Sequence, residues 1–143
     1  MSDKKRVLFL CVHNSVRSII AEFLVNHLRG EGWAAFSAGL EATGVNPYAR
    51  RVLAEIGIDT AGARSKRVDE FRGREFDLVV TVCGPSEGEC PVWLGAGKKA
   101  HLPFEDPARV QGSEDEILAA FRATRDEMRA TVLPFLDKQF VIK

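Results

Sequence analysis

Val7-Leu8-Phe9-Leu10-Cys11-Val12-His13-Asn14-Ser15-Val16-Arg17-Ser18 passes from a continuous apolar run, through a short polar loop, into a segment with helical spacing. Val7 to Leu10 has the unbroken hydrophobicity of a strand buried on both faces. From about Ser18 to Arg29, Ile20, Leu24 and Leu28 recur at every fourth position, with Phe23 and His27 beside them, and Gly30 ends the helix. The same alternation continues along the chain. Trp33 to Ser37 fits a second strand, and Asn46-Pro47 supplies an N-cap and first-turn proline for a helix through Val52, Leu53 and Ile56 to Gly57. Leu78 to Val82 is the strongest β-branched run, and Lys99 to Leu102 is a weaker strand. Ser113 and Glu116 form a capping-box pattern opening a long helix, with Ile117, Phe121, Met128, Val132 and Phe135 on one stripe and Pro134 set to kink or loosen its last turn. The expected fold is α/β: a single domain over residues 1–143, with an open, mainly four-stranded parallel sheet and helices on both faces.

The loop after the first strand carries chemistry. Between Cys11 and Arg17, the residues Val12, His13, Asn14, Ser15 and Val16 can curl so that successive backbone N–H groups point inward as an anion-binding nest. The helix that follows adds unpaired N–H groups, including those of Arg17 and Ser18, and the positive end of its dipole. Arg17 can fork two N–H bonds onto an oxyanion. The same positive field favours thiolate over thiol, so a tetrahedral anion would sit over a nucleophilic sulfur. In open α/β sheets ligands bind at the carboxyl ends of strands, which is where Cys11 falls.

Composition narrows the classes. Hydrophobic residues at 45% and charged residues at 28% are ordinary for a globular domain, and equal totals of 20 basic and 20 acidic residues give no net field for nucleic acid or a membrane surface. Lys4-Lys5-Arg6 before Val7–Val12 looks like a signal peptide, but the apolar run is too short, so a cytoplasmic protein is expected. An odd cysteine count of 3 argues against a purely structural disulfide framework. Scattered His13, His27 and His101 give zinc no short ligand pairs, so no metal is expected.

Cys11-x5-Arg17-Ser18 together with Asp106-Pro107 resembles the low-molecular-weight protein tyrosine phosphatase superfamily. The further pair Cys83 and Cys90, within Val79-Val80-Thr81-Val82-Cys83 and Glu89-Cys90-Pro91, resembles specifically its thioredoxin-coupled arsenate reductase branch. Ala21-Glu22, Ser37-Ala38-Gly39, Gly44-Val45-Asn46-Pro47 and Phe104-Glu105-Asp106-Pro107-Ala108 extend the match. The resemblance implies that Cys11 attacks arsenate, that Arg17 and the loop N–H groups hold it, that Ser18 donates to the thiolate, and that Asp106 protonates the departing hydroxide. It further implies that Cys83 attacks Cys11 to release arsenite, and that Cys90 then takes over Cys83 in a disulfide that thioredoxin reduces. No tightly bound cofactor is expected; the resemblance implies thioredoxin as external reductant, phosphate or sulfate as competing anions, and a monomer. A helical course between Cys83 and Cys90 would separate their Cα atoms by about 10.5 Å, beyond the ~7 Å limit of a disulfide. The intervening segment must therefore refold to close that bond, which Gly84, Pro85, Gly88, Pro91, Gly95 and Gly97 favour.

Other readings stand beside this one. Cys11, Arg17 and Asp106 alone would serve a tyrosine or aryl phosphatase, with Cys83 and Cys90 incidental. A Cys83–Cys90 switch without catalysis would make a redox sensor, and a small thiol with a glutaredoxin-like partner is a mechanistic variant. Cys83 also suits a packed strand-end thiol, Ser18 an N-cap and Asp106 a turn. His27 reads as packing. His13 stands where the superfamily often has glycine, so a left-handed backbone is expected to strain it. Lys66 occupies a position where some relatives place an aspartate that helps bind potassium with residues matching Asn14, Glu22 and Ser37; its ammonium would repel that ion and take its place beside Glu22. Activity is therefore expected to be nearly unchanged when potassium is exchanged for a bulky inert cation, as steady-state rates would show; a large, potassium-specific drop would contradict it.

Overall fold

The computed structural model describes residues 4–84, 93, 95 and 97–139. The four strands β1 (Lys5–Cys11), β2 (Trp33–Gly39), β3 (Leu78–Thr81) and β4 (Lys98–His101) form one sheet in the order β2-β1-β3-β4. Every pairing is parallel, with Leu10 level with Ala38 on one side and Thr81 on the other. The chain leaves central β1 for β2 and later returns to β3 on the opposite flank, so the carboxyl end of β1 is the topological switch point.

Three α-helices, α1 (Arg17–Leu28), α2 (Pro47–Ala54) and α3 (Glu114–Asp137), accompany the sheet among the described residues. Their buried side chains, including Ile20, Leu24, Leu53, Phe121 and Met128, form one core with Val7, Phe9, Leu78 and Val80. The alternate residues Leu8, Leu10, Ala38 and Val79 face the other side, where the 3-10 turn Val68–Phe71, Phe76 and Trp93 cover them. Helical segments thus cover both faces, as the sequence implied, though unequally. The second layer is largely aromatic: Phe36, Phe71 and Phe76 meet edge-on, with Arg6 and Arg74 over their rings.

Local signals act as expected at two starts. Asn46 accepts from the Tyr48 N–H to cap α2, and Ser113 with Glu116 completes a reciprocal capping box on α3. Elsewhere the boundaries move. Strand β2 runs on to Gly39, and α3 continues past Pro134 to Asp137. The α3 stripe is rotated from the expected one: Leu118, Leu133 and Leu136 are in the core, while Ile117 and Phe135 are only partly buried. His27 is exposed rather than packed, because Ile20, Leu24 and Val25 already fill the buried face of α1.

β4 lies at the sheet edge with Lys98 and Lys99 exposed. No helix among the described residues is long and apolar enough to cross a membrane.

Leu24 is fully buried between α1 and the sheet. Leu24→Ala should lower unfolding free energy by about 2–5 kcal/mol through lost transfer energy and a residual cavity, measured as a shift in denaturant midpoint at constant slope.

Candidate active site

Cys11 closes β1 at 1% exposure and is a free thiol. The chain then turns through residues 12–16 and enters α1 at Arg17. The turn depends on Asn14, the only described non-glycine residue with positive φ, at 48°. His13 was the residue expected to carry that strain; instead it is exposed, with Nδ1 3.4 Å from Glu41 Oε1, and the left-handed position falls one residue later. Asparagine adopts this region more readily than most residues because its short amide can satisfy nearby backbone.

That amide is fully engaged. Asn14 Oδ1 accepts the Lys66 N–H at 2.6 Å, while Nδ2 donates to Ser18 Oγ at 2.7 Å and to Ser37 Oγ at 3.0 Å. Ser65 Oγ donates to the Asn14 carbonyl at 2.7 Å, so residues 65 and 66 hold the turn from both sides. The Asn14 N–H in turn donates to Cys11 Sγ at 3.3 Å, and Ser18 Oγ lies 2.9 Å from the same sulfur. Ser18 is therefore inside α1 and against the thiol. The cap position belongs to Val16, which has no side-chain cap bond. Gly39, level with Cys11 on β2, permits this close approach: a Cβ there would lie 2.8 Å from both Asn14 N and Val12 O.

Arg17 is 2% exposed; Nη1 donates to the Phe104 carbonyl at 3.1 Å and Nη2 lies 3.7 Å from Asp106 Oδ2. Asp106 takes the turn role that an Asp-Pro pair suggested: its Oδ1 accepts from the Ala108 N–H to cap the turn Pro107–Arg109, while Oδ2 faces the arginine. A cavity of about 90 Å³ is lined by Cys11, His13, Ser15, Val16, Arg17, Thr43, Asp106 and Ala108. That is the space of roughly three waters in the liquid, enough for one tetrahedral oxyanion. Larger hollows adjoin the α1–β2 turn and α3, and contain none of the candidate groups.

Behind the loop is a largely buried charge pair, Lys66 beside Glu22, the placement expected from the position of Lys66 in the sequence. Lys66 is 7% exposed, with Nζ 3.6 Å from Glu22 Oε1, 3.5 Å from Ser37 Oγ and 2.6 Å from the Arg64 carbonyl. Ser37 Oγ donates to Glu22 Oε1 at 2.5 Å. Burial pushes the Glu22 carboxyl above its ordinary range, against the pull of Lys66. Burial likewise pushes the Lys66 ammonium down, against the pull of Glu22.

Cys83 is buried just past β3. Val82 N–H donates to the Leu10 carbonyl, which sets Cys83 one residue beyond the level of Cys11 on the adjacent strand. Cys83 is disulfide-bonded, and its partner lies outside the described residues. Cys90, and the refolding expected of the segment leading to it, also fall outside them.

The profile of the low molecular weight phosphotyrosine protein phosphatase family matches residues 6–140. Over 135 residues, covering 94% of this chain and 97% of each relative, the chain is 41% identical to an arsenate reductase of Bacillus subtilis and 39% identical to one of Halalkalibacterium halodurans. Among solved structures, an arsenate reductase in its reduced state superposes with a TM-score of 0.76 at 30% identity, covering 94% of this chain and 98% of that one. A thioredoxin-dependent arsenate reductase of Corynebacterium glutamicum gives 0.60 at 30% identity, covering 94% and 64%. A low molecular weight protein tyrosine phosphatase from T. tengcongensis gives 0.72 at 25% identity, covering 94% and 99%.

Gly39→Ala should force the Val12–Asn14 backbone away from β2. A drop in oxyanion affinity of about a hundredfold is expected if two loop N–H contacts are lost at ~1.5 kcal/mol each, measured by anion protection of Cys11 from alkylation in protein shown to be folded.

Proposed function

Because this chain belongs to the low molecular weight phosphotyrosine protein phosphatase family, we propose that it uses the family's anion loop to reduce arsenate to arsenite. The Cys11 thiolate attacks arsenic, forming an S–As bond, while hydroxide departs as water with a proton from Asp106. Arg17 and the N–H groups of residues 12–18 hold the remaining oxygens, and the Ser18 hydroxyl and Asn14 N–H stabilise the sulfur before attack. The Cys83 thiolate then attacks Cys11 Sγ. An S–S bond forms, the S–As electron pair stays on arsenic, and arsenic leaves in its trivalent state. Cys90 attacks Cys83, freeing Cys11, and an external thioredoxin dithiol reduces the resulting Cys83–Cys90 disulfide.

The observation that carries this reading is a second buried cysteine in the same cluster as the first, Cys83 with Cys11. Cys83 lies one residue past Cys11's level, just beyond the end of the neighbouring strand and at the same carboxyl edge of the sheet. The arsenate reductase relatives support the substrate, and the thioredoxin-dependent neighbour supports the reductant. A cavity of about 90 Å³ whose described lining holds no Phe, Tyr or Trp, only the imidazole of His13, gives a phosphotyrosine ring little apolar surface to pack against.

The decisive experiment adds arsenate to prereduced protein with no reductant present. A pair of protein thiols should disappear for each arsenite released, and Cys83→Ser should abolish arsenite production while leaving any aryl phosphate hydrolysis intact. Phosphate release from an aryl phosphate with no arsenite formed would establish the phosphatase reading instead.

A further inference from the structure

Every carbonyl from Val12 to Val16 already has a donor of its own. The Val12, His13 and Ser15 oxygens accept from the N–H groups of Glu41, Thr43 and Asn46 at 3.0, 3.3 and 3.1 Å. The Asn14 oxygen accepts from Ser65 Oγ at 2.7 Å, and that of Val16 from the Ile20 N–H at 2.8 Å. The loop and Arg17 are thereby left to offer an anion hydrogens only. That suits a tetrahedral oxyanion stripped of protons, such as sulfate. Arsenate and phosphate keep a hydroxyl, and its hydrogen needs an acceptor that neither amides nor a guanidinium supply.

His13 lines the cavity, and Glu41 Oε1 lies 3.4 Å from its Nδ1. A carboxylate oxygen only accepts, so in the neutral ring Glu41 draws the single proton to Nδ1 and leaves Nε2 a bare acceptor. Nε2 has no hydrogen-bond partner among the described residues. Ser15 and Thr43 also line the cavity, but a hydroxyl rotates to donate or accept and so serves either kind of anion. Asp106 is turned toward Arg17 and enters the proposed reaction as a proton donor. We propose that His13, oriented by Glu41, is a specificity residue: its Nε2 accepts the hydroxyl hydrogen of the bound oxyanion, and so selects hydrogen-bearing tetrahedral anions, arsenate and phosphate, over sulfate. The inference rests on the reading of this cavity as an oxyanion site beside the Cys11 thiolate.

The test measures, in full-length reduced protein, how inorganic phosphate and sulfate each protect Cys11 from iodoacetamide. Mildly alkaline solution is used, where both are dianions and differ by one hydrogen. Wild type should bind phosphate about tenfold more tightly than sulfate, as for one hydrogen bond to a charged partner. In His13→Leu, phosphate affinity should fall by about that factor while sulfate affinity stays within about twofold. His13 is exposed and outside the left-handed region, so its replacement spares the loop backbone. Nitrogen NMR of the imidazole gives a second readout: the proton should sit on Nδ1 in wild type and move in part to Nε2 in Glu41→Leu, and phosphate but not sulfate should shift the wild-type Nε2 resonance. A wild type without preference for phosphate, a preference that survives in His13→Leu and so points to Asp106 as the acceptor, or equal losses for both anions would overturn the proposal. If His13→Leu does not fold, the Nε2 response to phosphate decides: a shift upholds the proposal and its absence overturns it. Failure of both anions to protect wild-type Cys11 would instead bring down the functional reading, and this inference with it.

Discussion

The left-handed turn at Asn14 is the constraint from which the site follows. A loop that aims consecutive N–H groups at one point must reverse its course within a few residues, and an L-residue does so only by entering a region where its Cβ crowds the backbone. Here that cost is offset by using every polar atom of the residue. Its carbonyl and Oδ1 are bound by the segment at residues 65–66, its Nδ2 by two serines, and its N–H by the sulfur. The loop is therefore part of the core's hydrogen-bond network, so the site is organised before any anion arrives.

Sheet order supplies the rest of the setting. With β1 central and the chain departing to opposite flanks, β2 contributes Gly39 and Ser37, the segment after β3 contributes Cys83, and the segment after β4 contributes Phe104 and Asp106. Groups dispersed from residue 11 to residue 106 meet because a parallel sheet brings all its carboxyl ends to one edge. The partly opposed demands on Arg17 are solved the same way: its guanidinium is held by the Phe104 carbonyl and by Asp106, both from outside its own helix.

Much of this was legible in the linear chain because it rests on local rules. The apolar run ending at Cys11, the capping box at Ser113 and the Asn46-Pro47 start each act within a few residues, and each forms the expected element. What was illegible depends on contacts between distant segments. Which of His13 and Asn14 takes positive φ is decided by residues 65–66, some fifty positions away, and the rotation of the α3 stripe by the shape of α1 and α2 against which it packs. Lys66 stood out only by analogy, as a departure from a pattern. Its burial needed the fold to bring β2, α1 and the loop together. The helix cap offered the opposite lesson: Ser18 has the composition of a cap but lies two residues past the cap position, and a hydroxyl released from capping is available to a thiol.

The outer edge of β4 has a separate consequence. Lys98 and Lys99 stand exposed on the last strand, where unpaired backbone groups would otherwise template another chain. Two copies meeting there would bring like charges together on each face of the joined sheet, so the molecule's own charge opposes its growth into extended sheets.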